Sequence, residues 1–309
     1  VISLMTFEFM DLQNMFDHSL DPIREGPMRV IEMSTRSVWM QVMSASCKIV
    51  IELARARPTL GVPAAIAEGG LEQCIDLMKS EDKDHIDLTP ELRVHAMQMA
   101  CELGKYDIAV HRMQDPLKAI VHNLKDADPE IQFAAAQCLI LLVDPSNIAE
   151  LPILLDEGEE QSDLTCGSVF IEVGGIEVTL EALIQTKDPA VRIALLSIIP
   201  LISSEPSSVD RFSRAGGKNF VFCLLQVLLA DSSEDGRTNA LWALGTVIDG
   251  NPVIQKTLCQ HDGIKLLLKC CEPRNDDEVE DRGGKEHTQP EESQVAGTAA
   301  WTLALMCQD

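Results

Sequence analysis

The 309-residue sequence is poor in three things: aromatic side chains, positive charge and paired cysteine. Only 4% of it is Phe, Trp or Tyr, with three tryptophans and a single tyrosine. Large β sandwiches and barrels draw on aromatic and β-branched residues, so this scarcity disfavours them and favours a helical chain. Lys and Arg number 25 against 49 Asp and Glu, a formal net charge of −24. An acid excess of that size opposes nonspecific binding to nucleic acid or to an anionic membrane, both of which need a positive surface. Partners are expected to be proteins or peptides, basic or neutral. Ten cysteines are scattered without C-x-x-C spacing, most of them in apolar runs, and no N-x-S/T acceptor occurs. Reduced, buried thiols in an intracellular, cytoplasmic protein are the expectation. The longest apolar stretches, 133–143 and 220–230, are short for a bilayer span and are interrupted by Gln137 and Gln226, so no membrane insertion is expected.

What is present is an apolar share of 46%, built from Leu, Ile, Val, Ala and Met, which excludes general disorder. It is organised as a repeat. Four segments place glycine just before an amphipathic helix: Gly69-Gly70 before LEQCIDLM, Gly174-Gly175 before IEVTLEALI, Gly216-Gly217 before KNFVFCLLQVLL and Gly263 before IKLLLKCC. Glycine takes the left-handed conformation that ends one short helix and turns the chain into the next. Gln114-Asp115-Pro116 before LKAIVHNL is a degenerate fifth copy, with Pro as a helix-start signal. A polar turn then leads to a further helix with small residues on one side, as in LRVHAMQMACEL, IQFAAAQCLILLV, VRIALLSIIPLI, GRTNALWALGTVI and VAGTAAWTLALM; VMSASCKIVIEL reads the same way. Gly174 to Gly216 and Gly217 to Gly263 fall in the window of about 40–47 residues used by helical repeats.

This pattern resembles the armadillo repeat, with HEAT repeats as the nearest relative in form. The resemblance covers residues 42–309 and is strongest over 172–250. It implies an all-α, right-handed α-solenoid of about five to six repeats within 41–309, preceded by degenerate N-terminal helices or a partial repeat over 1–40. No repeat buries its apolar face alone, so neighbours stack through small residues: Ala96 and Ala100, Ala135 and Cys138, Ala240 and Ala243, Ala299 and Thr302. Acidic insertions over 150–168 and 272–293, the second with nine acids against three bases, read as loops, and 80–90 is a milder case. The chain opens on Val1 and stops after an amphipathic run at Asp309, so it is expected to be a piece of a longer chain and a subunit of a larger assembly.

Catalytic patterns are missing: there is no G-x-x-x-x-G-K-[ST], no G-x-S-x-G and no H-E-x-x-H. The seven histidines have no zinc spacing, and the acidic runs lack the D-x-[DN]-x-[DN]-G calcium pattern. No catalytic residue, cofactor or metal is expected, and the protein is read as not an enzyme.

In the resembled family the third helices line a concave groove. Phasing them with Ala240 as the buried small residue implies an exposed stripe at i, i+3 and i+7. From the first helix to the last it holds Ala45, Lys48 and Glu52; His95, Gln98 and Glu102; Ala134, Gln137 and Leu141; Ala194, Ser197 and Leu201; Asn239, Trp242 and Thr246; and Thr298, Trp301 and Leu305. In the armadillo carriers of nuclear-localisation peptides, tryptophans and asparagines on this stripe form a ladder for extended basic peptides. Trp242 and Trp301 match the tryptophan position, whereas Thr246 and Leu305 stand where the asparagines would be. The function implied is an intracellular interaction scaffold that holds a peptide or neighbouring subunit in its groove, within a cytoskeletal or ciliary, trafficking or signalling assembly. The alternatives are a divergent nuclear-import-type carrier of basic peptides and a regulator of a small GTPase with a basic tail.

Overall fold

Short helices broken at regular intervals by glycine, Pro and Asp are what the chain builds. The computed structural model describes residues 27–79, 88–149, 164–203, 205, 207–214, 217–230, 234–272 and 294–307. The helices expected within 1–26 and most of the acidic segments, over 80–87, 150–163 and 273–293, lie outside the described residues. Residues 1–175 and 176–309 form two compact units, described separately below.

In the first unit, α1 (Pro27–Ala56) is followed by α2 (Pro58–Ala67), α3 (Gly70–Met78) and α4 (Pro90–Gly104). A 3₁₀ turn (Asp107–Arg112), α5 (Gln114–Asn123) and α6 (Pro129–Val143) repeat the order of two shorter elements and a long one, and α7 (Cys166–Glu172) closes the unit. α1 is continuous across position 40, where the sequence suggested a boundary, because no Pro or Gly interrupts residues 28–56. The acidic segment placed over 150–168 also ends earlier than expected. Thr165 accepts the Ser168 amide, Ser168 Oγ accepts the Thr165 amide, and this reciprocal cap starts α7 at Cys166. α1 packs on α4 and α4 on α6.

In the second unit, α8 (Gly175–Gln185) and α9 (Pro189–Ser203) are followed by α10 (Ser208–Arg214), α11 (Gly217–Ala230), α12 (Glu234–Ile248), α13 (Pro252–Gln260), α14 (Gly263–Cys271) and α15 (Gln294–Leu305). α9 packs on α12 and α12 on α15. The long third helices of both units share their start chemistry. Thr89 and Asp128 accept helix-start amides from Leu92 and Glu130, and Asp188 those of Ala190 and Val191, with Pro90, Pro129 and Pro189 next in sequence. Among the described residues there is no strand; an isolated bridge joins Tyr106 to Ala149.

The turn from first to second helix uses two positions for two reasons. One residue is left-handed: Gly69 at φ 77°, Gly174 at φ 82°, and Asp262 at φ 56° where the sequence pointed to Gly263. Asp is among the residues that tolerate this conformation. The next residue must lack a Cβ, because that atom would lie 2.7 Å from the Ala65 carbonyl oxygen at Gly70, 2.4 Å from the Phe170 ring at Gly175 and 2.1 Å from Leu258 Cδ1 at Gly263. Each partner stands five residues earlier. In the degenerate copy no described residue between 107 and 116 has positive φ, and Pro116 is buried in α5.

The small residues singled out on the third helices are all buried. Arginine ties third helices to the next second helix, a role the sequence reading missed. Arg93 donates to Asn123, at the end of α5, and to Asp126 Oδ2 at 2.6 Å; Arg237, at the same register of α12, reaches Cys270 Sγ on α14 at 3.6 Å. Arg192, again at that register, opposes the burial that pushes the Cys223 thiol up to about 11. The recurring R at the fourth position of the third helices was the available signal.

Two glycine-to-alanine changes separate close approach from helix propensity. Gly70→Ala is expected to destabilise the first unit by about 1–3 kcal/mol, since a backbone carbonyl cannot yield. Gly297→Ala, on the exposed side of α15 with nothing within 4 Å of its added Cβ, is expected to stabilise the second by about 0.5–1 kcal/mol. Urea midpoints of the two variants check both signs.

Candidate functional site

The aromatic part of the stripe is built by α12 and α15. Ala240 and Ala243 bury one side of α12, and Ala299 and Thr302 bury one side of α15. Thr302 Oγ1 donates within hydrogen-bond reach of the Leu241 carbonyl, 3.3 Å away, and of Thr298, 2.8 Å away, which seats α15 on α12. That seating brings Trp242 and Trp301 together, with ring centroids 5.0 Å apart and planes 21° from parallel. Gly245 makes it possible: a Cβ there would stand 2.1 Å from Trp301 Cζ3. Trp242 is 49% exposed and Trp301 half-buried, so the stack presents aromatic surface while burying one ring against backbone. Asn239, Thr246 and Thr298 are half-buried on the same two helices. Thr246 Oγ1 donates to the Ala243 carbonyl at 3.0 Å. Leu305 differs from expectation: it is buried rather than on the stripe. A leucine side chain leans back over the preceding turn and here joins Val295, Ala299 and Thr302 on the packed face of α15.

On α9, Ser197 and Leu201 are half-buried, Ser197 Oγ donates to Ile193 at 2.9 Å, and Ala194 is buried rather than exposed because a methyl side chain does not clear its neighbours.

In the first unit the stripe carries charge instead of rings. Glu52, Gln98 and Gln137 are exposed and His95 is half-buried. Glu102 is buried, against expectation. Its carboxylate is drawn in by two cations, accepting from Arg55 Nε at 3.1 Å and Lys105 Nζ at 3.0 Å. The hydrogen bond from Arg55 to Glu102 raises the pKa of the guanidinium further. Ser44 Oγ lies 2.7 Å from His95 Nδ1, and Glu91 Oε1 lies 4.0 Å from the same nitrogen. A nucleophile relay sets hydroxyl and carboxylate on opposite ring nitrogens; here both gather at Nδ1, so the pair orients the ring and does not form that relay. Burial lowers the His95 pKa, and the Lys48 ammonium lowers it further against the opposing Glu91.

All ten cysteines are unpaired. Burial pushes Cys47 and Cys166 up to about 12, while Cys259 and Cys307 depart from the buried reading and are exposed. Of Cys270 and Cys271, the first is buried and the second half-buried. Among the described residues no group of three or more His, Cys, Asp or Glu side chains is placed to hold a metal, and no helix is long and apolar enough to cross a membrane.

No protein-family model and no curated protein matches the chain. Solved structures do. An engineered protein aligns with 87% of this chain and 91% of its own, at TM-score 0.60 and 19% identity. A designed armadillo repeat protein aligns with 85% of this chain and 92% of its own, at TM-score 0.56 and 15% identity. Another designed armadillo repeat protein, in complex with the peptide (KR)4, aligns with 91% and 95%, again at 0.56 and 15%. The fold of this chain is therefore that of an armadillo-like α-solenoid.

Gly245→Ala should push the Trp301 ring off Trp242. Loss of the far-UV exciton couplet of the stacked indoles and a red shift of tryptophan emission are the expected readouts; an unchanged couplet would contradict the close contact. His95 supplies a pH test whose sign follows from its lowered pKa. Stability from the neutral ring is complete above the ordinary imidazole value of about 6.5 and is lost as pH falls through the lowered value. His95→Asn, which retains an acceptor, should flatten that part of the pH dependence of the urea midpoint between pH 7.5 and 5.

Proposed function

We propose that this chain is a non-enzymatic interaction scaffold that holds an extended peptide segment of a protein partner along the third helices of its second unit. The observation that carries the reading is the stacked, half-exposed Trp242–Trp301 pair at equivalent register on α12 and α15. Partly exposed indoles in a packed frame are the side chains that dominate protein interfaces, and they take cationic or aromatic groups through cation–π contact and burial. The peptide complex of a designed armadillo repeat protein supports the same use of this fold. The net charge of −24 favours a basic or neutral partner over nucleic acid. Ten unpaired cysteines support an intracellular, reducing setting, within which a cytoskeletal or ciliary, trafficking or signalling assembly belongs to the same proposal.

A nuclear-import-type carrier of basic peptides is the second reading, favoured by the (KR)4 complex. Weighing against it, Thr246 uses its hydroxyl within α12 and Leu305 is apolar and buried, so neither position offers the side-chain amide that clamps a peptide backbone.

Capture from native extract with the unaltered chain and with the Trp242→Ala/Trp301→Ala variant tests the scaffold. Partners of the groove should bind the variant at least about tenfold more weakly; a full partner set retained by the variant would remove the groove from the proposal. Titration with a Lys/Arg-rich peptide separates the carrier. Tight binding that weakens as salt rises supports it, and millimolar binding at low salt rejects it.

A further inference from the structure

The third helices of the second unit carry almost no charge. No Asp, Glu, Lys or Arg occurs within residues 193–203 of α9, 238–248 of α12 or 294–305 of α15. Charge is confined to the helix starts, with Arg192 in α9 and Glu234, Asp235 and Arg237 in α12, and Arg237 is engaged with Cys270. Asp235 and Asp249 are exposed and stand seven residues before and after Trp242, about 10 Å along the helix axis. That separation is about one Debye length at physiological salt, so a cation laid on the rings has no carboxylate of α12 within pairing distance.

Hydrogen bonding narrows the ligand further. The hydroxyl hydrogens are engaged inside their own helices: Ser197 donates to Ile193 at 2.9 Å, Thr246 to Ala243 at 3.0 Å and Thr298 to Gln294 at 2.8 Å. Nitrogen is what remains to donate. Among the described residues, the indole N–H groups of Trp242 and Trp301 and the Asn239 amide have no hydrogen-bond partner. An ordinary extended peptide brings an N–H and a C=O from each residue, and side-chain amides would meet both; Thr246 and the buried Leu305 stand where such amides would be. Proline brings a carbonyl without an N–H, so it needs donors alone. Its ring is apolar, and runs of it are already extended as polyproline II before binding, which lowers the ordering cost.

We propose that the second unit takes a proline-rich segment in the polyproline II conformation, with pyrrolidine rings on the Trp242–Trp301 stack and carbonyls accepting from the indole and Asn239 N–H groups. Aromatic-lined grooves recognise proline-rich segments in this way. The proposal rests on the scaffold reading above and narrows its partner from basic or neutral to neutral and proline-rich.

The test is fluorescence anisotropy of the 309-residue chain with three labelled peptides of about nine residues: all-proline, alternating Lys-Arg and alternating Gln-Ala. The all-proline peptide is expected to bind at least about tenfold more tightly than either other, with a Kd steady between about 50 and 500 mM salt. Trp242→Ala should weaken it at least about tenfold. Asn239→Asp, which removes a donor and sets a carboxylate one turn from the rings, should weaken it several-fold and strengthen the Lys-Arg peptide. Equal or tighter binding of the Lys-Arg or Gln-Ala peptide, all-proline binding untouched by both variants, or no binding of any of the three would each overturn the proposal. The scaffold reading falls separately, when capture from native extract survives Trp242→Ala/Trp301→Ala; partners lost from that variant without any all-proline binding reject the ligand class alone.

Discussion

Where a first helix hands over to a second, two stretches of chain meet at a separation that no side chain larger than hydrogen permits. The contact recurs five residues apart at Ala65 and Gly70, Phe170 and Gly175, and Leu258 and Gly263. Much else follows from it. The first helix must fold back on the second, the second then runs at a set height beside the long third, and the third helix is left with one packed face and one open stripe. The left-handed residue just before this contact is the less demanding of the two requirements, since Asp262 fills it. The missing Cβ is the stricter condition, because what stands in its way is a carbonyl, a ring or a branched side chain already locked in the core.

Much of this was legible in the sequence because the signals are local. Glycines before the second helices, polar turns before the third and small residues at helical spacing each act within a few residues, and they placed the repeat, its turns and the packed faces. What the sequence did not show depends on which atoms arrive from elsewhere. Glu102 reads as an exposed groove acid until Arg55, 47 residues earlier in the chain, and Lys105 converge on it. Leu305 follows the stripe spacing but obeys its own chemistry and turns into the core. The stacking of Trp242 on Trp301 is invisible without the packing of α12 on α15, although Gly245 within an apolar helix was a hint that something large presses on the backbone.

The exposed faces of the third helices differ in character from one unit to the other. In the first, its charges are internally matched: Glu52 and Glu102 with Arg55, Glu102 with Lys105, Lys48 with Glu91. The exposed pairs, Glu52 with Arg55 and Lys48 with Glu91, contribute little stability, whereas Glu102 is buried against its two cations. In the second, the surface is aromatic and weakly polar. Nine acids lie within residues 272–293, between α14 and α15 in sequence, so much of the acid excess is carried outside the stripe. Under the proposed function, long-range attraction would come largely from outside the stripe and fade with ionic strength, whereas contact with the rings would not.

Gly245 has its register equivalent in Ala304 of α15, which carries the methyl group that Gly245 lacks. A ring laid over α15 as Trp301 is laid over α12 would collide with it. The aromatic surface is therefore a closed couple and not the first rungs of an extensible series. Under the proposed function the valency of α12 and α15 would be one: a partner with many identical side chains in a row would find one stacked pair there, so its alternative alignments would compete with one another instead of adding up.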